Sequence, residues 1–223
     1  MQMMKEEAFF PATAMPDSDW WHALWPDPEG MLRALGIGPG LEVVDLCCGD
    51  GHFTAPLARL VAPGRAIGFD LDPAMLAESR RVCANCTNCL WIEGDAMALS
   101  QLVTYPVDCV LMANTFHGVA KPTVLAREVV QVLKPGGRFV IVNWYPLPRE
   151  ETPVLGQPHG PRTELRMSPE QTCAVVDPAG FELEELAELP PYHYGAIFKK
   201  RMVANLIHHP NPSTIDHDQT GIP

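Results

Sequence analysis

The residues best suited to chemistry stand at the ends of apolar runs. Val43-Val44-Asp45-Leu46 leads directly into Cys47-Cys48-Gly49-Asp50-Gly51, a turn that only small side chains can make. Gly49 and Gly51 carry no Cβ, so a ligand can lie against bare backbone and a helix can begin at once. A strand-turn-helix of this kind suits a nucleotide-like ligand. The dinucleotide fingerprint G-x-G-x-x-G would need glycine three places after Gly51, where the chain has Thr54, which disfavours a dehydrogenase. A second apolar run, Arg65 to Asp70, also ends in an acid, and a carboxylate at a strand's C-terminal edge can accept both hydroxyls of a ribose. Leu90 to Gly94 runs into Asp95-Ala96, and Val107 to Ala113 runs into Asn114. His117 follows, with an unperturbed pKa suited to a base near neutral pH. It is read either as that base or as a side chain that caps the loop and packs beside Phe116.

Asp45, Cys47, Gly49 and Gly51 resemble the first motif, D-x-small-x-G-x-G, of the class I S-adenosylmethionine-dependent methyltransferases. Cys47 stands where that family most often has glycine. The resemblance covers about residues 30 to 200. It implies that Asp70, with its neighbour Leu71, meets the ribose, that Asp95 and the Ala96 backbone meet the adenine, and that Asp45 and the backbone near Asn114 meet the methionine end. S-adenosylmethionine is then the implied cofactor. Asn114-Thr115-Phe116-His117, a tryptophan after the fifth strand, a Pro-rich loop and a Tyr-His-Tyr strand resemble small methyltransferases related to the ubiquinone and menaquinone group. The acceptor loops depart from the quinone enzymes, so no quinone is assumed.

These residues need a scaffold, and the alternation of patterns supplies one. Apolar strands are predicted at 41–46, 66–70, 89–93, 107–113 and 138–143, with helices at about 52–62, 73–84 and 122–133. Strand-helix-strand repeats require right-handed crossovers and a parallel sheet covered on both faces. Asp72-Pro73 caps one helix, and Lys134-Pro-Gly-Gly137 is expected to stop another before Phe139. Ser168-Pro169-Glu170-Gln171 reads as a capping box opening a helix that ends before Gly180. Phe181 to Leu189 and Tyr192 to Lys200 then form a closing pair of strands. The fold class is α/β, and the resemblance implies a Rossmann-like, mostly parallel sheet of seven strands with the last antiparallel.

The 223 residues, 47% hydrophobic, suffice for one domain with a full core. We divide the chain into an N-terminal aromatic and Pro-rich segment at 1–29, a methyltransferase domain at 30–201 and a flexible tail at 202–223. Residues 144–167 leave the fifth strand at the edge where open α/β sheets bind ligands, and are read as a lid. Trp20, Trp21, His22 and Trp25 must cover apolar surface, either as plain core or as a roof over the site. A net charge of -11 opposes a polyanionic partner, so nucleic acid is not expected. Without an apolar run of 18 residues or a signal-like start, the chain reads as a soluble, cytoplasmic protein with no membrane insertion.

Cys83, Cys86 and Cys89 have the spacing C-x2-C-x2-C, but a fourth cysteine at a ligating interval is missing, and no metal is expected. They read as reduced thiols, or as a trap for a soft metalloid substrate of the kind arsenite methyltransferases take. Trp144, Tyr145, Tyr192 and His193 are candidates for an acceptor pocket, with the sheet-face alternation of the last strand as the other explanation for residues 192–194. The functional expectation is methyl transfer to a small-molecule acceptor. The alternatives are a cofactor-binding sensor or assembly subunit without turnover, and a metalloid or thiol methyltransferase.

Overall fold

The computed structural model describes residues 18–202. The expectations for the first seventeen residues, and for the tail beyond Met202, lie outside the described residues. In chain order the elements are α1 (Ser18–Leu24), α2 (Pro28–Ala34), β1 (Glu42–Leu46), α3 (Thr54–Val61), β2 (Arg65–Asp70), α4 (Pro73–Val82) and β3 (Cys89–Glu93). Then follow α5 (Leu99–Leu102), β4 (Val107–Ala113), α6 (Pro122–Val132) and β5 (Leu133–Trp144). The chain closes with a two-residue hairpin of β6 (Pro153–Val154) and β7 (Gln157–Pro158), then α7 (Pro169–Val176), β8 (Phe181–Leu189) and β9 (His193–Lys200).

Seven strands form one sheet in the order β3-β2-β1-β4-β5-β9-β8. β1 to β5 pair in parallel, and β9 runs antiparallel to both its neighbours. The expected architecture is therefore present. Strands buried on both faces have no polar side to alternate with, and Val43, Val44, Asp45 and Leu46 are all buried. Val44, Leu46, Ile67 and Met112 face α6 and α7 through Leu125, Val129 and Val176. Val43, Ala66, Leu111 and Val142 face α1, α2 and α3 through Trp25, Leu32, Leu35 and Leu57.

The capping signals act as read. Asp72 Oδ1 accepts from the Ala74 N–H at 2.8 Å. At α7 the Gln171 N–H donates to Ser168 Oγ, and the Ser168 N–H to Gln171 Oε1. One boundary differs. Lys134-Pro-Gly-Gly137 does not separate α6 from the fifth strand, because β5 already begins at Leu133 and the tetrapeptide is an irregularity in its pairing with β4. Leu133 pairs with Val107, and Lys134 Nζ donates to Asp108 Oδ2 at 2.8 Å, so contacts across the ladder hold the segment in the sheet.

Candidate functional site

The direction of the sheet's connections reverses beside β1, which lies between β2 and β4, so the C-terminal ends of β1 and β4 diverge and leave a crevice. A cavity of about 420 Å³ occupies it. Asp45, Cys47 and Gly49 reach it from β1 and its turn, Asn114 and His117 from the end of β4, and Trp144 from the end of β5.

The two loops entering the crevice have unusual backbones. Cys47 and Asn114 are non-glycine residues with φ of 62° and 60°. L-residues adopt this left-handed region at a cost, and such positions cluster at functional sites. The same angle explains why the methyltransferase motif favours glycine at the position of Cys47. At Gly51, with φ +89°, an added Cβ would lie 2.3 Å from Ser79 Oγ, so the turn and α4 approach each other through a missing side chain.

Asp45 is 2% exposed, and Thr54 Oγ1 donates to its Oδ2 at 2.6 Å. Burial pushes its pKa up to about 7, and nearby Asp70 and Asp50 push the same way against the Thr54 bond. Asp70 accepts the Gly49 N–H at 2.8 Å and the Asp72 N–H at 3.0 Å, tying β2 to the β1 turn. Asn114 is 9% exposed, and neither end of its amide has a partner among the described residues. The Cys47 thiol is pushed up to about 12 by burial and by the carboxylates around it, which makes it no nucleophile at neutral pH.

His117 departs from expectation in its protonation. Burial holds its pKa down to about 4, with the nearby Asn143 side chain opposing and the Arg166 charge acting the same way as burial. It is a neutral imidazole across the physiological range, suited to accepting a hydrogen bond and weak at holding a full proton.

The other sequence candidates sort by position. Leu71, Asp95 and Ala96 lie outside the cavity's lining, at the ends of β2 and β3. Asp95 Oδ1 accepts the Met97 N–H at 2.8 Å, and the Ala96 side is buried. Trp144 lines the cavity, whereas Tyr145, Tyr192 and His193 do not. Tyr145 packs against Tyr194 on the opposite face, 5.2 Å between rings. Tyr192 stacks behind Trp144 and donates to the Pro153 carbonyl. His193 is 1% exposed between Trp25 and Trp144, in keeping with the alternation of the last strand.

Trp20 and Trp21 line the cavity and also pack, with Trp25, into the core cluster on that face of the sheet. Arg149, His159, Gly160 and Pro161 of the 144–167 loop line the facing wall. Sequence reading named the loop without these residues, and it missed His52, Phe53 and Thr115. Nothing in their local spacing distinguishes them. Cys83, Cys86 and Cys89 lie at the other edge of the sheet, where Cys89 pairs with Ala66 near the start of β2, so they cannot present an acceptor to this cavity. Among the described residues, no group of three or more His, Cys, Asp or Glu side chains is arranged to hold a metal ion. No helix among the described residues is long and apolar enough to cross a membrane.

A doubly wound α/β sheet with a crevice at its switch point, an acid there and a second acid on the adjoining strand defines a nucleotide-cofactor protein. Comparison with known proteins makes this specific. A methyltransferase domain family model matches residues 43–137. Demethylmenaquinone methyltransferase of Staphylococcus aureus (strain JH9) is 31% identical over 123 residues, which are 55% of this chain and 50% of the relative. The chain thus spans about half the length of the curated relatives it matches. A SAM-dependent methyltransferase structure from Aquifex aeolicus superposes with a TM-score of 0.69 at 22% identity, covering 82% of this chain and 93% of that one. A putative type 11 methyltransferase from Sulfolobus solfataricus gives 0.63 at 23%, covering 82% and 96%. At those identities the two structures speak for the fold. The methyltransferase domain matched over residues 43–137, the curated relative and the shared fold together support a class I S-adenosylmethionine-dependent methyltransferase similar to the ubiquinone and menaquinone group. The residues present fit that cofactor: a buried acid and an unpartnered buried amide line the same cavity, and the Gly49 turn is braced by Asp70.

Proposed function

We propose that the chain transfers a methyl group to a small-molecule acceptor held in the cavity between β1 and β4. The observation that carries this is one cavity lined by Trp20 and Trp21 on one side and by Arg149, His159, Gly160 and Pro161 of the 144–167 loop on the other. A volume of about 420 Å³ lies in the range of small-molecule sites.

Asp45 and Asn114 would hold the methionine end of the cofactor, Asp70 with Leu71 the ribose, and Asp95 with the Ala96 backbone the adenine. S-adenosylmethionine, when bound, supplies a methyl group on a positively charged sulfur. The chain's own residues then have to fix the acceptor in line and keep water out, which accounts for most of the acceleration such a reaction needs. Trp20, Trp21 and Trp144 exclude water, and neutral His117 orients the acceptor through one hydrogen bond, accepted from a hydroxyl or donated to an oxyanion.

Release of S-adenosylhomocysteine should be measured with a panel of phenols, carboxylic acids, thiols, amines and arsenite. Turnover with a compound of the first four classes is the expected result. Tight cofactor binding with no turnover across the panel would favour the sensor, and turnover with arsenite alone the metalloid reading. Demethylmenaquinone, which the name of the Staphylococcus aureus relative specifies, belongs in the panel as a further candidate.

A further inference from the structure

The walls of the cavity differ in charge and in the kind of polar group they leave open. On the β1 side stand two carboxylates, Asp45 and Asp50. The roof and the 144–167 side carry donors. Trp20 and Trp21 are 4% and 8% exposed, both line the cavity, and neither indole N–H has a partner among the described residues. An indole nitrogen donates and does not accept, and both of these are shut off from solvent, so a ligand's acceptor atom would meet them only as the rings turn toward it.

Arg149 lines the same wall. Its Nε donates to the Gly160 carbonyl at 3.2 Å, and no carboxylate forms an ion pair with it among the described residues. A second guanidinium lies behind. Arg166 is 4% exposed and 4.8 Å over the Trp144 ring. It donates to the Pro161, Leu147 and His159 carbonyls and to Thr152 Oγ1, with no carboxylate in ion-pair contact among the described residues. Buried cations are ordinarily paired, and a buried one without a counter-charge keeps a strong local field. Exposed Glu150 is the acid that acts on Arg166 at longer range. The rings between these groups are stacked or tilted side chains: Trp20 is 6.2 Å from Trp144 and 4.9 Å from His159.

Resting on the methyltransferase reading, we propose that the acceptor is a small planar organic anion, a carboxylate or ionised phenol on an aromatic ring, met by Arg149 and the indole N–H groups of Trp20 and Trp21. Flat walls select the ring, and the donors select the oxyanion. The aromatic walls would also attract a cation, but two guanidinium groups on that side oppose one. The chain's net charge of -11 repels anions at long range, so the selection must be made by these local contacts.

The test is calorimetric titration of the full chain with S-adenosylhomocysteine present. The probes are 4-hydroxybenzoate and 4-nitrophenolate, their neutral counterparts 4-hydroxybenzamide and nitrobenzene, and benzyltrimethylammonium. At least one anion should bind about tenfold or more tighter than its neutral counterpart, as expected for a charge-assisted hydrogen bond. Arg149→Met should abolish the preference, Arg149→Lys should retain part of it, and Trp20→Phe should weaken the anion severalfold while keeping a ring in place. Equal binding of the neutral compounds, tighter binding of the cation, binding of neither anion, or a preference that survives Arg149→Met would each overturn the proposal. S-adenosylhomocysteine binding is measured first. Its failure would count against the methyltransferase reading itself, whereas anion failure on a chain that binds it counts against this inference alone.

Discussion

Asp45→Asn should make the cofactor-free protein more stable above neutral pH, although it removes a site residue. The folded Asp45 keeps its proton to about pH 7, whereas an unperturbed carboxyl releases it near 3.8. Between those values the native state binds more protons than the unfolded chain, so stability falls as pH rises through that window. A shift of that size costs about 2 kcal/mol at pH 5 and about 4 kcal/mol at pH 8, from 1.36 kcal/mol per pKa unit. Asparagine has nearly the same shape, still accepts the Thr54 hydroxyl bond, and carries no charge to desolvate. The advantage of the variant over wild type should therefore grow by about 2 kcal/mol from pH 5 to pH 8. In a chain of this size that is a change of roughly 4–8 °C in the difference between melting temperatures. Urea unfolding at the two pH values, with both proteins free of cofactor, measures it. A variant advantage that is flat or shrinking with pH would refute the argument that burial sets the protonation of Asp45.

Three further outcomes follow from the same geometry. Asp70→Ala should weaken S-adenosylmethionine binding at least about tenfold by calorimetry, because it removes the proposed ribose acceptor and the brace on Gly49 together; unchanged affinity in a folded variant would sink the assignment. His117→Ala should slow methyl transfer by about tenfold, as expected for one lost hydrogen bond to the acceptor, with cofactor affinity nearly intact, and the wild-type rate should show no inflection from this imidazole between pH 6 and 9, since its pKa is held down to about 4; equal turnover by the two proteins would leave His117 a packing residue. Gly51→Ala should destabilise the fold by about 1–3 kcal/mol, because the new methyl meets Ser79 backbone and side chain on α4; a denaturation midpoint equal to wild type would show that α4 moves aside at no cost.

The local patterns carried the scaffold because they are sequence-near. Asp45, Asp70 and Asn114 are each fixed at the end of a strand by the apolar residues just before them, so the order of strands along the chain set all three along one edge of the sheet. Capping at Asp72 and Ser168 was readable for the same reason, since donor and acceptor lie within three residues of each other. The Lys134 segment went the other way: glycine and proline signal a break, yet pairing of Leu133 with Val107 keeps it in the sheet, and that contact lies 26 residues away.

What the sequence by itself determined was the layered α/β fold and the row of polar residues along one edge of its sheet, because strand periodicity and turn chemistry act over a few residues. What only the tertiary structure decided was which side chains from distant segments line one cavity. Trp20, Arg149 and His159 come from segments more than a hundred residues apart, and their meeting depends on β5 delivering its loop beneath α1. Protonation was decided there too, because the displaced pKa values of Asp45 and His117 arise from burial by distant parts of the chain, which no local pattern encodes.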